Sequence, residues 1–461
     1  MSPTEKQDSV VQLLSRALHR IRTTPPRIIA SPATQPRRAA VAIVIRVVPS
    51  PAASPVSDGA PLPTLSQFFE QDWVKDPAAR PEVLFLRRDP ASTSDTISPS
   101  TALLGIEPTP KGKSKTDAQV AFPGGRMEDG DEGGLYTAMR QTWEEIGLDL
   151  AERDFICIGQ LDDREITTSL GKRLLMILSP FVFLQLTPVA LPTDPAEGTY
   201  IHWTPLQTLI SAVLPEKFGQ TTTRGRWSSV TVDAASRLTP RHAAILKILV
   251  RILIGSMQFP AILIDAPDPD ASPSPALPSS PSYPALTQDV LEKGITSDKP
   301  NRSPRGKSPH CRPLKLWGLS LGMTMDLLAN MVPPTDPADG SQTNGVSQPL
   351  TSLQLPFRPV GSQGMRIDAV APSLASVIPR FSYPDVNFWI WVFGKRYREV
   401  VRGWEASIRE GGSNDRRLNW SGTALNNFYA AVRKALVVVI VLRAIGVLFG
   451  LAFAGWWVLL V

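Results

Sequence analysis

Residues 121–150, AFPGGRMEDGDEGGLYTAMRQTWEEIGLDL, place a glycine-pair turn directly before a helix dense in carboxylates, and this juxtaposition restricts the surrounding fold more than any other stretch. Gly124 and Gly125 permit a sharp turn whose backbone can approach a ligand closely. Over residues 133–146 the spacing predicts a helix, ended by Gly147, with Gln141, Glu144 and Glu145 at i, i+3 and i+4 on one surface. Neighbouring carboxylates on one helix face repel. A divalent cation between them relieves that repulsion, and hard oxygen ligands select Mg²⁺ or Mn²⁺ over zinc. Such an ion bridges a pyrophosphate and stabilises the charge that develops as water attacks phosphorus. Arg140 can pair with Glu132 or reach Glu144, holding the acidic helix in register. An isolated Glu-Glu pair is ordinarily solvated surface charge. The combination of turn, spaced Glu, Arg, Glu pair and terminating Gly sets this stretch apart.

The stretch resembles a Nudix box. That pattern runs Gly, five residues, Glu, seven residues, Arg-Glu, an aliphatic, any residue, Glu-Glu, any residue, Gly and an aliphatic. Arg140, Glu144, Glu145, Gly147 and Leu148 fall on their places, and Glu132 keeps the gap before Arg140. Three departures stand out: the Gly125-to-Glu132 interval is one residue longer, Gln141 replaces the Glu after the Arg, and Thr142 replaces the first aliphatic. The resemblance implies an α/β fold, an α/β/α sandwich with a mixed β-sheet, and metal-dependent hydrolysis of a diphosphate. It makes Glu144, Glu145, Arg140 and Gln141 the candidate catalytic set. Glu144 and Glu145 are then metal ligands beside the Gly125 backbone, with Gln141 a neutral third, while Glu132, Arg140 and Gly147 support the box. Glu128, Asp129 and Asp131 add carboxylates around the turn, and for the first two a helix N-terminus accounts for the charge. A glutamine brings no negative charge and cannot act as a general base. The sequence therefore also allows a catalytically weak fold that serves as a binding or scaffold protein.

Outside the box, PEVLFLRR at residues 81–88 and QVAFPGG at 119–125 resemble the coenzyme A diphosphatase branch. Thr116 and Ala118 stand where that branch has His and Gly, and residues 89–115 form a Ser/Thr/Pro/Lys-rich insertion. GQLDDREITTS (159–169) and SPFVFLQL (179–186) resemble its paired strands, IHWTPLQTL (201–209) its Trp-x-Pro-Leu segment, and LKLWGLSLGMTMDLLANM (314–331) its closing helix. This implies coenzyme A or a derivative as substrate, cleaved to adenosine 3′,5′-bisphosphate and 4′-phosphopantetheine. Another nucleoside diphosphate derivative, such as a dinucleotide or nucleotide sugar, is the alternative. Glu197 precedes Trp203 by six residues, where relatives carry a Glu that ligates metal or acts as base. Arg87, Arg88 and Arg126 are candidates for a polyanionic ligand, since a guanidinium fork suits phosphate; surface solubility explains each equally well.

The net charge of +6 favours a phosphate-bearing small molecule or an anionic membrane surface as partner. Neither an aromatic-interleaved basic stripe nor zinc spacing occurs, so no nucleic acid is expected. Cys157 and Cys311 lack a CxxC spacing, which points to a reducing compartment. The four histidines are scattered, and His202 reads as a strand residue.

Residues 435–461, ALVVVIVLRAIGVLFGLAFAGWWVLLV, carry Arg443 as their one charge and predict a transmembrane helix. The charge-free run 444–461 spans about 27 Å at about 1.5 Å per residue. Arg443 is expected to snorkel beside Arg433 and Lys434, with Trp456 and Trp457 anchoring the far side. Basic flanks of this kind place the box domain in the cytosol as a single-pass, tail-anchored protein, with mitochondrion and peroxisome as candidate organelles. Residues 381–404, aromatic then basic, read as an interfacial segment. Residues 242–264 are apolar too, but Lys247, Arg251 and Pro260 favour a helix and strand packed on the core. Residues 9–22 are amphipathic and begin an acid-free run, which fits either a mitochondrial presequence or an N-terminal helix. The domain plan is then a basic amphipathic segment (1–38) and the box domain (39–332), with disordered insertions at 89–115 and 265–313. A Pro/Ser-rich linker (333–373), a juxtamembrane region (374–434) and the transmembrane helix (435–461) follow, since such Pro/Ser-rich composition does not pack.

Overall fold

The structure, a computed structural model, describes residues 9–32, 37–51, 62–88, 120–167, 174–189, 191–213, 227–235, 244–266, 312–331, 352–353, 365–366, 378–399 and 423–460. The insertion expected at 89–115 lies outside these, as do most of 265–313 and of the linker at 333–373.

The chain opens with helix α1 (Val10–Thr23), strand β1 (Arg38–Val48), helices α2 (Leu65–Glu70) and α3 (Asp72–Lys75), and strand β2 (Arg80–Arg88). Strands β3 (Val120–Ala121) and β4 (Gly124–Arg126) lead into helix α4 (Gly134–Ile146). Then come β5 (Phe155–Gln160), β6 (Arg164–Thr167), β7 (Leu174–Gln185), β8 (Thr199–Pro205), helix α5 (Leu206–Val213) and β9 (Trp227–Asp233). Helix α6 (Ala244–Ile254), β10 (Ser256–Ala266), β11 (Arg312–Trp317) and helix α7 (Gly318–Met331) follow. Short strands β12 (Ser352–Leu353), β13 (Met365–Arg366) and β14 (Arg380–Phe381) precede helices α8 (Pro384–Phe393) and α9 (Thr423–Leu460).

Strand β1 is the spine of a mixed sheet. It runs parallel to β7 from Arg38 opposite Ile177 to Ile45 opposite Leu184. Its other edge pairs antiparallel with β4 near Ala40 and with β2 near Arg46. The order is β3-β2-β1-β7-β5, with β8 added to β2 and β6 to β7. A strand buried on both faces reads as a continuous apolar run, as RAAVAIVIRVV does. Alternation along it divides the interior. Ala39, Val41, Ile43 and Ile45 join the side chains of α1, α2, α5 and α7, whereas Ala40, Ala42 and Val44 meet Ala138 and Ile146 of α4. The sheet thus lies between two helical layers, an α/β/α sandwich.

Helix α1 belongs to the core. Ser9 and Gln12 form a capping box at its start, and Leu14, Ala17 and Leu18 are fully buried against α7 and the sheet. Of the two readings open for residues 9–22, the N-terminal helix is the one found. The segment after it is tied down by Asp163, whose buried carboxylate accepts bonds from Ile29 N, Arg38 Nη2, Gln160 Nε2 and Ser179 Oγ.

A second, antiparallel sheet is built on β10, with β9 along one edge and β11 and β14 along the other. Residues 265–266 and 312–313, read from sequence as ends of an insertion, are strand partners here, Asp265 opposite Pro313 and Ala266 opposite Arg312. Residues 352–353 and 365–366, inside the expected linker, also pair with each other. Along β10 the side chains alternate between two cores: Ile262 and Ile264 enter the first, while Met257, Phe259 and Ala261 enter a second formed with α6, α8 and the first half of α9.

Helix α9 contains the expected C-terminal apolar run and extends further back along the chain. It begins at Thr423, and Phe428, Val432, Leu436 and Val439 are buried in the second core. Apolar periodicity is the same whether a helix meets lipid or protein, so composition alone could not separate the two halves. The Arg443 guanidinium binds Asp385 Oδ2 at 2.5 Å and the Leu253 carbonyl, and it stacks 4.5 Å above the Tyr383 ring. The helix is long and apolar enough to cross a membrane over Asn426–Leu460.

Candidate active site

The glycine turn is wedged against β1. Gly124 has φ +148°, and a Cβ there would lie 2.4 Å from the Ala40 carbonyl oxygen and 2.6 Å from Val41 Cα. Gly125 is small for another reason, since a Cβ would fall 2.0 Å from Gln141 Oε1. The first glycine lets the turn reach the sheet; the second lets the helix reach the turn.

Helix α4 starts from Gly133 and stops at Gly147, whose left-handed conformation (φ +66°) and N–H bond to the Trp143 carbonyl close it. Its inner face buries Thr137, Ala138, Gln141, Thr142 and Ile146. Thr142 substitutes for an aliphatic side chain without leaving a stranded polar group, because its hydroxyl donates to the Ala138 carbonyl at 2.7 Å. Gln141 lies on this inner face, with its amide against the turn.

Asp131 anchors the charge network. Its carboxylate accepts Arg140 Nε and Nη2, each at 2.8 Å, together with the Glu128 N–H and the Thr137 hydroxyl, each at 2.9 Å. The Arg140 guanidinium, outweighing the opposing effect of burial, lowers the Asp131 pKa to about 2. The same carboxylate holds Arg140 still further above its ordinary range. Of the two partners open for Arg140, Glu144 is bound by it, whereas Glu132 is exposed. Asp131 takes the role of Glu132 because the usual five residues separate it from Gly125, so the extra residue of the box falls between the acid and Arg140. Sequence spacing counted from Gly125 carried that signal.

Arg140 also organises the helix acids. Its Nη1 donates to Glu144 Oε1 at 2.8 Å, and Gln141 Nε2 donates to Glu144 Oε2 at 2.9 Å. Glu145 reaches back to the turn, its Oε2 3.4 Å from Gly124 N. Glu144 is half exposed and Glu145 partly buried. Glu197 is exposed in the loop before β8, and that loop is stitched to the end of α4 by Asp194 N to the Ile146 carbonyl and Ala196 N to the Glu145 carbonyl. The fold thus brings the Glu197 backbone to the acid helix.

The three candidate arginines lie on two strands. Arg87 is buried on β2, 5.2 Å from the Tyr200 ring centroid, while Arg126 is exposed on β4 and offers its carbonyl to Arg140. Arg88 ends β2 opposite Thr199. Strands β2 and β4 pair with successive stretches of the same edge of β1, near Arg46 and near Ala40. His202, a strand residue opposite Phe85, is held below the ordinary histidine range by burial, against the pull of Glu82.

Among the described residues no three His, Cys, Asp or Glu side chains are grouped to hold a metal ion. The donors beside the turn are the two carboxylates of Glu144 and Glu145 and the neutral oxygens of Gln141 and the Gly125 backbone. All are hard oxygens, and two carboxylates completed by water and phosphate suit Mg²⁺. The set fits such an ion.

No protein-family model matches the chain. An uncharacterized protein of Schizosaccharomyces pombe is 30% identical over 177 residues, which cover 38% of this chain and 47% of that one. The chain thus spans about half the length of the curated relative it matches. Three solved structures align with low superposition scores. A MutT/nudix family protein from Enterococcus faecalis is 12% identical, covering 44% of this chain and 52% of its own, with a TM-score of 0.19. The NUDIX domain of Shewanella oneidensis NrtR, complexed with ADP ribose, is 11% identical, with coverage of 42% and 85% and a TM-score of 0.21. A MutT from Aliivibrio salmonicida or Vibrio cholerae is 15% identical, with coverage of 38% and 84% and a TM-score of 0.17.

Proposed function

We propose that the chain is a membrane-tethered Nudix-type hydrolase that cleaves a diphosphate linkage, with coenzyme A or one of its derivatives as substrate. One observation carries this reading: Arg140, locked to Asp131, holds Glu144 beside Glu145 at a turn whose first glycine is pressed on β1 backbone and whose second is pressed on Gln141. That arrangement reproduces the parts of the box that the sequence shares with the family. Glu144 and Glu145 would hold Mg²⁺ or Mn²⁺, which supplies charge stabilisation to the diphosphate when bound.

The chain's own residues do the remaining work. Gly124 and Gly125 bring backbone close to the acids, so a phosphate can approach without a steric barrier. Arg140 orients the Glu144 carboxylate through its Nη1 bond, acting as a positioning residue. Glu197, on the loop docked to α4, is the candidate further ligand or base, and Arg87, Arg88 and Arg126 are candidates for the phosphates. Helix α9 enters the membrane beyond Arg443, with the domain on its cytosolic side.

Helix α9 contributes to the second core, so the test uses the full chain in detergent micelles. Coenzyme A, acyl-CoA, ADP-ribose and diadenosine polyphosphates are offered with Mg²⁺ or Mn²⁺. Selective cleavage of coenzyme A, lost by 10²-fold or so in Glu144→Gln and Glu145→Gln, is the expected outcome; equal or better cleavage of the others reassigns the substrate. The second reading, a silent nucleotide-binding fold, is favoured by the neutral Gln141, whose amide occupies Glu144. It is adopted if the wild type and Gln141→Glu both bind nucleotide and neither turns it over.

A further inference from the structure

Helix α6 is apolar on the wrong side. Val250 and Ile254 are buried in the second core, but Ile245, Ile248, Leu249 and Ile252, at i, i+3, i+4 and i+7, form an exposed aliphatic stripe on another face. Ile245 is 85% exposed and Ile252 64%. On α8, Phe388 and Trp391 are each more than half exposed. A soluble surface rarely presents contiguous apolar faces of this kind without an occupant.

The identity of the occupant follows from where the helices meet. Helices α6, α8 and α9 share the second core. They converge on Arg443, which binds the Leu253 carbonyl at the end of α6 and Asp385 in the first turn of α8. Tyr383 lies under the same guanidinium and donates its hydroxyl to the Ile252 carbonyl at 3.2 Å. A cation there also suits the negative end of α6. At this level α9 leaves the protein: Val439 is buried, and from residue 444 to residue 460 every side chain is exposed. The stripes of α6 and α8 therefore adjoin the point where the long apolar helix departs.

We infer that α6 and α8 lie in the surface layer of the bilayer that α9 enters, so that the three helices form one lipid-facing platform with Arg443 and Asp385 at headgroup level. This rests on the reading of α9 as a membrane helix. Lys247 and Arg251, at i and i+4, both lie to one side of the α6 stripe, as cations do on helices lying at an anionic lipid surface. A second copy of the chain would also cover aliphatic residues, but it would not require the stripes to share their level with the exit of α9. The platform fixes the distance and tilt of the acid helix relative to the membrane, which a flexible tether does not.

The test uses the full chain with Cys157→Ser and Cys311→Ser, carrying one nitroxide at Ile248→Cys, Phe388→Cys or Leu451→Cys. Each is reconstituted in vesicles of phosphatidylcholine and phosphatidylglycerol, and collision with oxygen is compared with collision with a water-soluble nickel chelate. The platform predicts that labels at 248 and 388 collide several-fold more with oxygen than with the chelate, as the label at 451 does. A 248 label open to the chelate while 451 is in lipid overturns the platform and leaves the tether standing. Protection of 248 from both reagents places protein over the stripe and overturns the platform in favour of a second copy. A 451 label open to the chelate overturns both readings.

Discussion

Arg140 and Asp131 face each other through two N–H···O bonds of 2.8 Å, one from Nε and one from Nη2, and this fork joins the acidic helix to the loop before it. Most of the geometry around the turn depends on that one pair.

Asp131→Asn therefore removes a charge-assisted bond pair from a nearly buried acid, and is expected to cost about 2–3 kcal/mol in stability. Glu132→Ala, at an exposed neighbour, should stay within about 0.5 kcal/mol of wild type. Urea unfolding of both variants measures the difference; equal effects would return the clamp to Glu132.

The same pair sets a pH dependence. The pKa of Asp131 is lowered to about 2 from an ordinary value of 3.8, so the folded state favours the ionised acid. Its contribution is complete above about pH 4 and disappears as pH falls through about 2. The gap in stability between wild type and Asp131→Asn should be constant near neutrality and shrink below about pH 4. An unchanged gap near pH 2 would refute the assignment.

The two glycines of the turn should fail differently. Gly124→Ala meets backbone at 2.4 Å and a positive φ, and is expected to cost about 3 kcal/mol or more. Gly125→Ala meets only the end of the Gln141 side chain, so the chain should fold with a loss of about 1–3 kcal/mol. Its activity should nevertheless drop on the order of 10²-fold as Gln141 is pushed from Glu144. Melting curves and turnover on the same preparations separate the two.

Asp163→Ala should be the most damaging substitution away from the turn. Its carboxylate is fully buried and serves four donors, among them Arg38 and Ser179. Removing it is expected to cost about 3–5 kcal/mol. Near-wild-type unfolding of this variant would show that the segment between α1 and β1 is held by other contacts.

What the sequence made legible was local. The turn, the helix, the Glu pair and the strands at residues 39–48 and 81–88 follow from periodicity and glycine chemistry within a few residues. The clamp did not, because choosing Asp131 over Glu132 depends on the path of the loop between Gly125 and Gly133. Helix α1 was ambiguous because a core helix and a presequence share one amphipathic pattern; only the packing of Leu14 and Leu18 against α7 distinguishes them. The two halves of α9 read alike for the same reason, since hydropathy registers an apolar neighbour but not whether it is lipid or protein. The role of Glu197 rests on resemblance, and those of Arg87, Arg88 and Arg126 on guanidinium chemistry that a surface arginine shares.

The packing of α1 on α7 also sets a clock. Their partners lie roughly 300 residues apart, and at about 5–20 residues per second of synthesis the first helix waits on the order of 15–60 s before α7 exists. Throughout that interval α1 can meet only its earlier partners, α2, β2 and β5, and the side that packs on α7 has no native cover. The α7 side of α1 is thus among the last surfaces of this fold to be covered, long after the acid helix is complete.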